Sequence, residues 1–440
     1  MRGFLFNFYL VPFFLLAGWS LSHAQNIVFT PTASIPVGKA PQGIATGDFN
    51  GDDLLDLATV NSTSDDVSIL LGNGNGTFQA PVSFGIGKIP MSVATADVNG
   101  DARLDLIVAI SGSDRIVILK GKGDGFFDRM GSYPSGKGTT FLSLADLNQD
   151  DRPDVVAVNS GRFGYYPPFS LSVLFNEGDG KFSPPVTYET KGREGMFPTG
   201  VLAQDITGDG LPDLAVTWSQ PSWRSPNGMI SLLVNTGQGK FSLTKELNPG
   251  FTLSAITGGD VDGNGYWDLV ITSLYLDSVI VLFQDDQGEF QKLNPIHVGF
   301  SPVAVAISDL NGDERLDVVT TNRDSNSVSV LVQRENGSFR KAGHFGVGGT
   351  PSSLVIEDFD RDGLPDLVTA DSQSDAVSVL LSGGGGIPLP SVSAESLVFQ
   401  VNNRDQGRQP QLVRLSNIGL GPLRIVAVNL MGQDPEAFAV

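Results

Sequence analysis

Residues 48–56 read DFNGDDLLD, and six close variants recur further along: DVNGDARLD (97–105), DLNQDDRPD (146–154), DITGDGLPD (205–213), DVDGNGYWD (260–268), DLNGDERLD (309–317) and DFDRDGLPD (358–366). Their starts lie 49, 49, 59, 55, 49 and 49 residues apart. A fixed period of roughly 40–50 residues marks an array of one supersecondary unit.

Every unit has the same grammar. A short apolar run such as SVATA or AVAIS precedes the acidic string, and a continuous one such as DLIVAIS or DVVAVNS comes after it. A third apolar run (VSILL, IVILK, VSVLV) leads into a Gly/Asn turn and a Phe that opens a fourth segment, as in GNGNGTF and RENGSF. Short runs rich in Val, Ile and Leu predict strands, unbroken apolarity predicts sheets covered on both faces, and the turns suit hairpins. The expected fold is all-β, a seven-bladed propeller of four-stranded antiparallel blades.

Spacing predicts how the ring closes. From the last Asp of a string to the Phe of the fourth strand is 22 residues in repeats 1, 2, 5 and 6, and from that Phe to the next string is 19 residues in five of six gaps. The seventh repeat ends at AVSVLLS (376–382) with no fourth strand, yet Phe29 stands 19 residues before Asp48. The N-terminal strand is therefore expected to complete the last blade and cover its open edge.

The acidic strings present oxygen at positions 1, 3, 5 and 9. Position 1 is Asp48, Asp97, Asp146, Asp205, Asp260, Asp309 and Asp358; position 3 is Asn50, Asn99, Asn148, Thr207, Asp262, Asn311 and Asp360. Position 5 is Asp52, Asp101, Asp150, Asp209, Asn264, Asp313 and Asp362; position 9 is Asp56, Asp105, Asp154, Asp213, Asp268, Asp317 and Asp366. Carboxylate, amide and backbone oxygens at this spacing can surround a hard cation if the chain turns sharply, and Gly at position 4 or 6 permits the turn. Ca²⁺, which accepts six to eight oxygens, suits the set better than Mg²⁺. The spacing is that of the start of an EF-hand loop, but without a Glu at position 12 or flanking helices.

With these strings, the G-x-F turns and the seven-fold count, the sequence resembles the FG-GAP or VCBS-type repeat family, which includes the propellers of integrin α-subunits. The resemblance covers roughly residues 27–382. It implies a Ca²⁺ in the hairpin between strands 1 and 2 of each blade, up to seven in all and mainly structural, held by the residues just named. Thr207 departs from the Asn or Asp of the other strings at position 3, and Asn264 from their Asp at position 5, so those two sites are expected to be weaker.

Composition agrees with an exported chain. Residues 1–24 read as a signal peptide: Arg2, an apolar run, then Ser22-His23-Ala24 at a cleavage site. No later stretch approaches the ~20 apolar residues of a membrane helix. Losing Arg2 takes the formal charge from −20 to −21, which disfavours nucleic acid or anionic membrane as partners. There are no cysteines among 440 residues, so bound metal is expected to supply stability that disulfides otherwise would. Secretion, or a cell-surface or periplasmic location, is the expectation.

The domain plan is 1–24 signal peptide, 25–382 propeller, 383–390 Gly/Pro linker and 391–440 an incomplete immunoglobulin-like sandwich. SLVFQV, QLVRLSN and LRIVAVN in the last piece are similar to the opening of hydin or choice-of-anchor modules. Such a sandwich needs about 100 residues, twice the length of the segment after the linker.

Three connections are longer than the repeat requires: SGRFGYYPPFS (160–170), WSQPSWRSPNG (218–228) and ETKGREGMFPTG (189–200). All three are expected on the face opposite the acidic loops. Arg162, Tyr165, Tyr166, Arg193, Trp218, Trp223 and Arg224 make this the candidate ligand patch, since Trp, Tyr and Arg on protruding loops suit recognition. The partner expected is an extracellular protein or glycan. His297 and His344, the only histidines after residue 24, sit in predicted outer strands without a matched nucleophile, so no enzyme is expected. The competing readings are a lectin with sugars between blades and a polysaccharide-acting enzyme.

Overall fold

In a computed structural model the described residues are 27–32, 34–161, 169–189, 195–220 and 227–383. The expected signal peptide, most of the expected linker and the expected 391–440 sandwich segment lie outside them.

Each acidic string joins strands 1 and 2 of a four-stranded antiparallel blade, and there are seven blades; in the seventh the outer strand comes from the N-terminal segment. The first is Pro41–Gly47, Asp56–Asn61, Asp66–Leu70 and Val82–Gly85. Second strands all begin on the Asp of position 9, as in Asp105–Ile110 and Asp154–Asn159. They are buried along their whole length, apart from Gln220 at the end of the blade 4 strand, because both faces meet a neighbour. In blade 2, Leu106, Val108 and Ile110 pack with Val60 and Ile69 of blade 1, whereas Ile107 and Ala109 pack with Val155 and Ala157 of blade 3. Period-two alternation thus feeds two apolar layers at once. The described core consists of seven clusters, one at each junction between blades.

Closure has the predicted register. Phe29–Pro31 pairs with Ala376–Ser382, Phe29 opposite Ser382 and Pro31 opposite Leu380, and Ile35 continues the pairing opposite Val377. Phe29 is buried, its ring edge-on to Phe345 of blade 6 at 5.2 Å.

The first strands line a central channel, with a cavity of about 330 Å³ bordered by Gly43, Ser92, Phe141, Gly200, Ala255 and Ser353. Acidic loops and strand 3–4 hairpins share one face; strand 2–3 turns and interblade connections share the other. Two long connections are shorter than expected, because strands Asp213–Gln220 and Phe197–Gln204 extend into them. Among the described residues no helix is long and apolar enough to cross a membrane.

Candidate metal centres in the strand 1–2 loops

A tight loop of nine residues needs reversed backbone, and here it needs it twice. Positions 4 and 6 both take positive φ in every blade: Gly51 and Asp53 at 78° and 60°, Gly208 and Gly210 at 75° and 86°, Gln149 and Asp151 both at 62°. Glycine at one of the two positions, the expectation from sequence, understates the constraint. Blade 3 has glycine at neither.

The double reversal wraps backbone amides around the first carboxylate. Asp48 accepts from Gly51 N at 2.7 Å and Asp53 N at 2.9 Å. Asp97 accepts from Gly100 N and Ala102 N, both at 2.7 Å, and Asp309 accepts from Gly312 N and Glu314 N.

Position 9 does different work. Asp56 is fully buried; one oxygen accepts from Phe49 N at 2.8 Å and the other from Gly72 N at 2.7 Å, at the end of strand 3. The same clamp recurs at Asp154 with Leu147 N and Asn176 N, and at Asp366 with Phe359 N and Ser382 N. Position 9 is thus a structural staple between loop and sheet. Burial pushes these carboxyls up, Asp56, Asp154, Asp268 and Asp366 to about 6 and Asp317 to about 7, and nearby carboxylates add to the rise. A divalent cation would relieve that crowding.

Do the loops fit an ion? In blade 5 carboxylate oxygens of Asp260, Asp262 and Asp268 lie within 4.8 Å of one another, and in blade 7 those of Asp358, Asp360 and Asp362 do. Between them the two clusters use positions 1, 3, 5 and 9. In blade 3 the buried Oδ1 of Asn148, position 3, has no hydrogen-bond partner. An all-oxygen, carboxylate-rich set with an orphaned amide oxygen fits a hard divalent ion. Thr207, by contrast, donates its hydroxyl to Asp213 at 3.0 Å, and Asn264 donates its amide to Gln284 O at 2.8 Å.

Hairpins also key into the preceding blade's loop. Asn176 Nδ2 donates to Val98 O at 2.9 Å, Asn235 Nδ2 to Leu147 O at 2.8 Å and Gly125 N to Phe49 O at 2.9 Å. Disturbing one loop therefore disturbs a junction.

The candidate ligand patch needs a correction. Trp218 is only 3% exposed, lies in the blade 3–4 core with Val216 and Leu214, and donates Nε1–H to Ser231 at 3.0 Å. It is a core residue because strand 2 of blade 4 runs past it, which loop-length counting could not show. Arg162, Tyr165, Tyr166, Arg193, Trp223 and Arg224 lie outside the described residues. The histidines are in outer strands, with His297 Nδ1 3.1 Å from Ser278 Oγ and His344 Nδ1 2.8 Å from Ser329 Oγ.

Reading the acidic strings alone misses a second recurring residue nine places after position 9: Asp65, Asp114, Asp277, Asn326 and Asp375. Each accepts at 2.8–2.9 Å from an amide at the entry to the next blade: Ile89, Gly138, Ser301, Thr350 and Ala40 respectively. The constant offset was the available signal.

A sequence model described as the FG-GAP-like repeat matches residues 48–108, 146–216, 260–320 and 309–369, more than half of the chain. The protein belongs to the FG-GAP-like repeat family. No curated protein matches it. Solved structures similar to this FG-GAP-like propeller include a protein from Lactobacillus plantarum (16% identity, 72% of this chain and 88% of that one, TM-score 0.54). BBS1N, crystallised in complex with ARL6DN, is 11% identical over 81% of this chain and 98% of its own, at TM-score 0.56. The periplasmic gluconolactonase PpgL of Pseudomonas aeruginosa is 16% identical over 73% and 90%, at TM-score 0.54. At these identities the likeness is one of fold.

Proposed function

We propose that this chain is an exported, calcium-stabilised recognition propeller whose partner is an extracellular protein or glycan. The observation that carries the reading is the convergence of ligand oxygens in loops anchored within their own hairpins. An ion held there braces the ring and leaves the opposite face free for a partner. Position 9 ties each loop to its sheet, and the hairpin keys tie it to the next blade, so the metal's role is structural. The test is elemental analysis of the secreted protein, then a protein and glycan binding screen in millimolar Ca²⁺. Absence of bound calcium, or a melting temperature indifferent to chelation, would overturn the metal half. Absence of any partner would overturn the recognition half.

A second reading has its own observation. Between blades 4 and 5 a cavity of about 380 Å³ is lined by Ile206, Leu232, Lys245, Gln284, Asp286 and Phe290. Apolar walls with an aromatic ring and a few polar groups suit a sugar. Glycan binding lost in Phe290→Ala would favour a lectin. Turnover of a polysaccharide, or of a lactone as in the name of the Pseudomonas neighbour, would favour an enzyme.

A further inference from the structure

The seven loops are not electrically alike. In blade 2, Lys120 Nζ lies 2.8 Å from Asp101 Oδ2; in blade 3, Arg152 Nη2 lies 2.5 Å from Asp150 Oδ2; in blade 6, Arg315 Nη2 lies 2.5 Å from Asp313 Oδ2. All three cations act on the same ligand position, the fifth. Two come from position 7 of the loop itself, and the third reaches over from strand Arg115–Gly121. In blades 1, 4, 5 and 7 position 7 is Leu54, Leu211, Tyr266 and Leu364. Among the described residues no ion pair there touches a ligand carboxylate. Arg361, inside the loop of blade 7, donates instead to the carbonyl of Asp53 in blade 1. Both loops whose carboxylates converge, those of blades 5 and 7, belong to this second group.

We propose that these internal cations divide the loops into two affinity classes for calcium, tight in blades 1, 4, 5 and 7 and weak in blades 2, 3 and 6. Thr207 and Asn264 do not place blades 4 and 5 in the weak class, because each of those loops still carries three ligand carboxylates. The inference rests on the calcium reading above. An ammonium or guanidinium paired with one oxygen of the fifth ligand repels a divalent ion bound to the other. For charges about 5 Å apart in a water-like dielectric, that repulsion is worth on the order of tenfold in affinity. The cation weakens the site without filling it, since Asn148 Oδ1 stays unpartnered beside the Arg152–Asp150 pair. Blades 2, 3 and 6 thereby keep part of their loop charge balanced at low calcium. The calcium-dependent blades fall in two sectors, 4–5 and 7–1, and the second is the junction where the ring closes.

Calcium titration calorimetry and native mass spectrometry of the full chain test the partition. Four tight sites are expected, with three at least about tenfold weaker. The quadruple variant Lys120→Met, Arg152→Leu, Arg315→Leu, Arg103→Leu should bring the weak three into the tight class. Arg103 is included because it is position 7 of blade 2 and its charge also acts on Asp101; leucine already occupies position 7 in three loops. Hydrogen exchange after chelation gives a readout that needs no variant to fold. Protection should fall in the loops of blades 1, 4, 5 and 7 and persist in 2, 3 and 6. Seven equivalent sites, an unchanged quadruple variant or uniform loss of protection would overturn the partition while leaving the calcium reading intact. No calcium binding at all would overturn both.

Discussion

Asp375, in the strand 2–3 turn of the seventh blade, accepts a hydrogen bond at 2.8 Å from the amide of Ala40, 335 residues earlier in the chain. The same latch elsewhere joins neighbours in sequence; here it joins the two ends of the propeller. Ser352 Oγ adds a bond to Pro41 O at 2.9 Å across the same junction. A charged acceptor bonded to a backbone amide contributes about 1.5 kcal/mol or somewhat more. Asp375→Ala is expected to cost that much in urea denaturation. Asp375→Asn should cost little, because Asn326 makes the equivalent bond to Thr350 N at 2.8 Å. Equal losses in both variants would show that the latch is not the cause.

Removing the N-terminal strand should do far more. Deletion of residues 25–37 strips Ala376–Ser382 of its partner and takes Phe29 out of the core. An exposed apolar edge invites pairing with another chain. Size-exclusion chromatography should show association, and a stable monomer would count against the closure.

Asp371 carries a pH dependence. It is fully buried, accepts from Thr369 Oγ1 at 2.8 Å and Ser378 Oγ at 2.5 Å, and burial pushes its carboxyl up to about 6. The folded value lies above the ordinary ~3.9, so the folded state holds the proton more tightly. Its contribution is present below about pH 4 and is lost as pH rises through 6, at most on the order of 3 kcal/mol. Asn322 does the same job in blade 6 without a charge, accepting from Thr320 Oγ1 and donating to Ser329 Oγ. Asp371→Asn should therefore raise stability at pH 8 and flatten the slope between pH 4 and 7. An unaltered slope would sink the assignment.

Backbone strain concentrates in blade 3. Gln149 and Asp151 hold φ near +62° without glycine, a conformation costing about 1–2 kcal/mol for an ordinary residue. Gln149→Gly should stabilise the chain by roughly 0.5–1 kcal/mol after the entropy that glycine loses on folding. Thermal unfolding measures it, and destabilisation would show that the weak bond from Gln149 to Gly210 O matters more.

Chelation is the broadest test. Sites of ~10⁻⁴ M affinity in millimolar Ca²⁺ each contribute about 1.4 kcal/mol. EDTA should lower the melting temperature, and Mg²⁺ should restore little of it. A melting curve unmoved by EDTA would remove metal from the account of stability.

The fold was legible because its signals are local and repeated. The acidic strings count the blades, uninterrupted apolar second strands announce burial on both faces, and nineteen residues from Phe29 to Asp48 announce the closing strand. Ligand positions could be named from spacing for the same reason. Other features depend on what faces what. Whether Trp218 is surface or core turns on how far a strand runs and which blade lies beside it. That Lys120 reaches Asp101 while Arg361 turns to the next blade depends on side-chain paths through space, and spacing along the chain carries no record of those. Position 9 could be read as a ligand from its oxygen, but only the folded sheet shows it clamping two amides in a buried place. Sequence determined the architecture because periodic burial is a one-dimensional pattern. Arg152 and Arg315 at position 7 are written in the strings, but which cation reaches which ligand was decided by tertiary packing, because charge acts through distance.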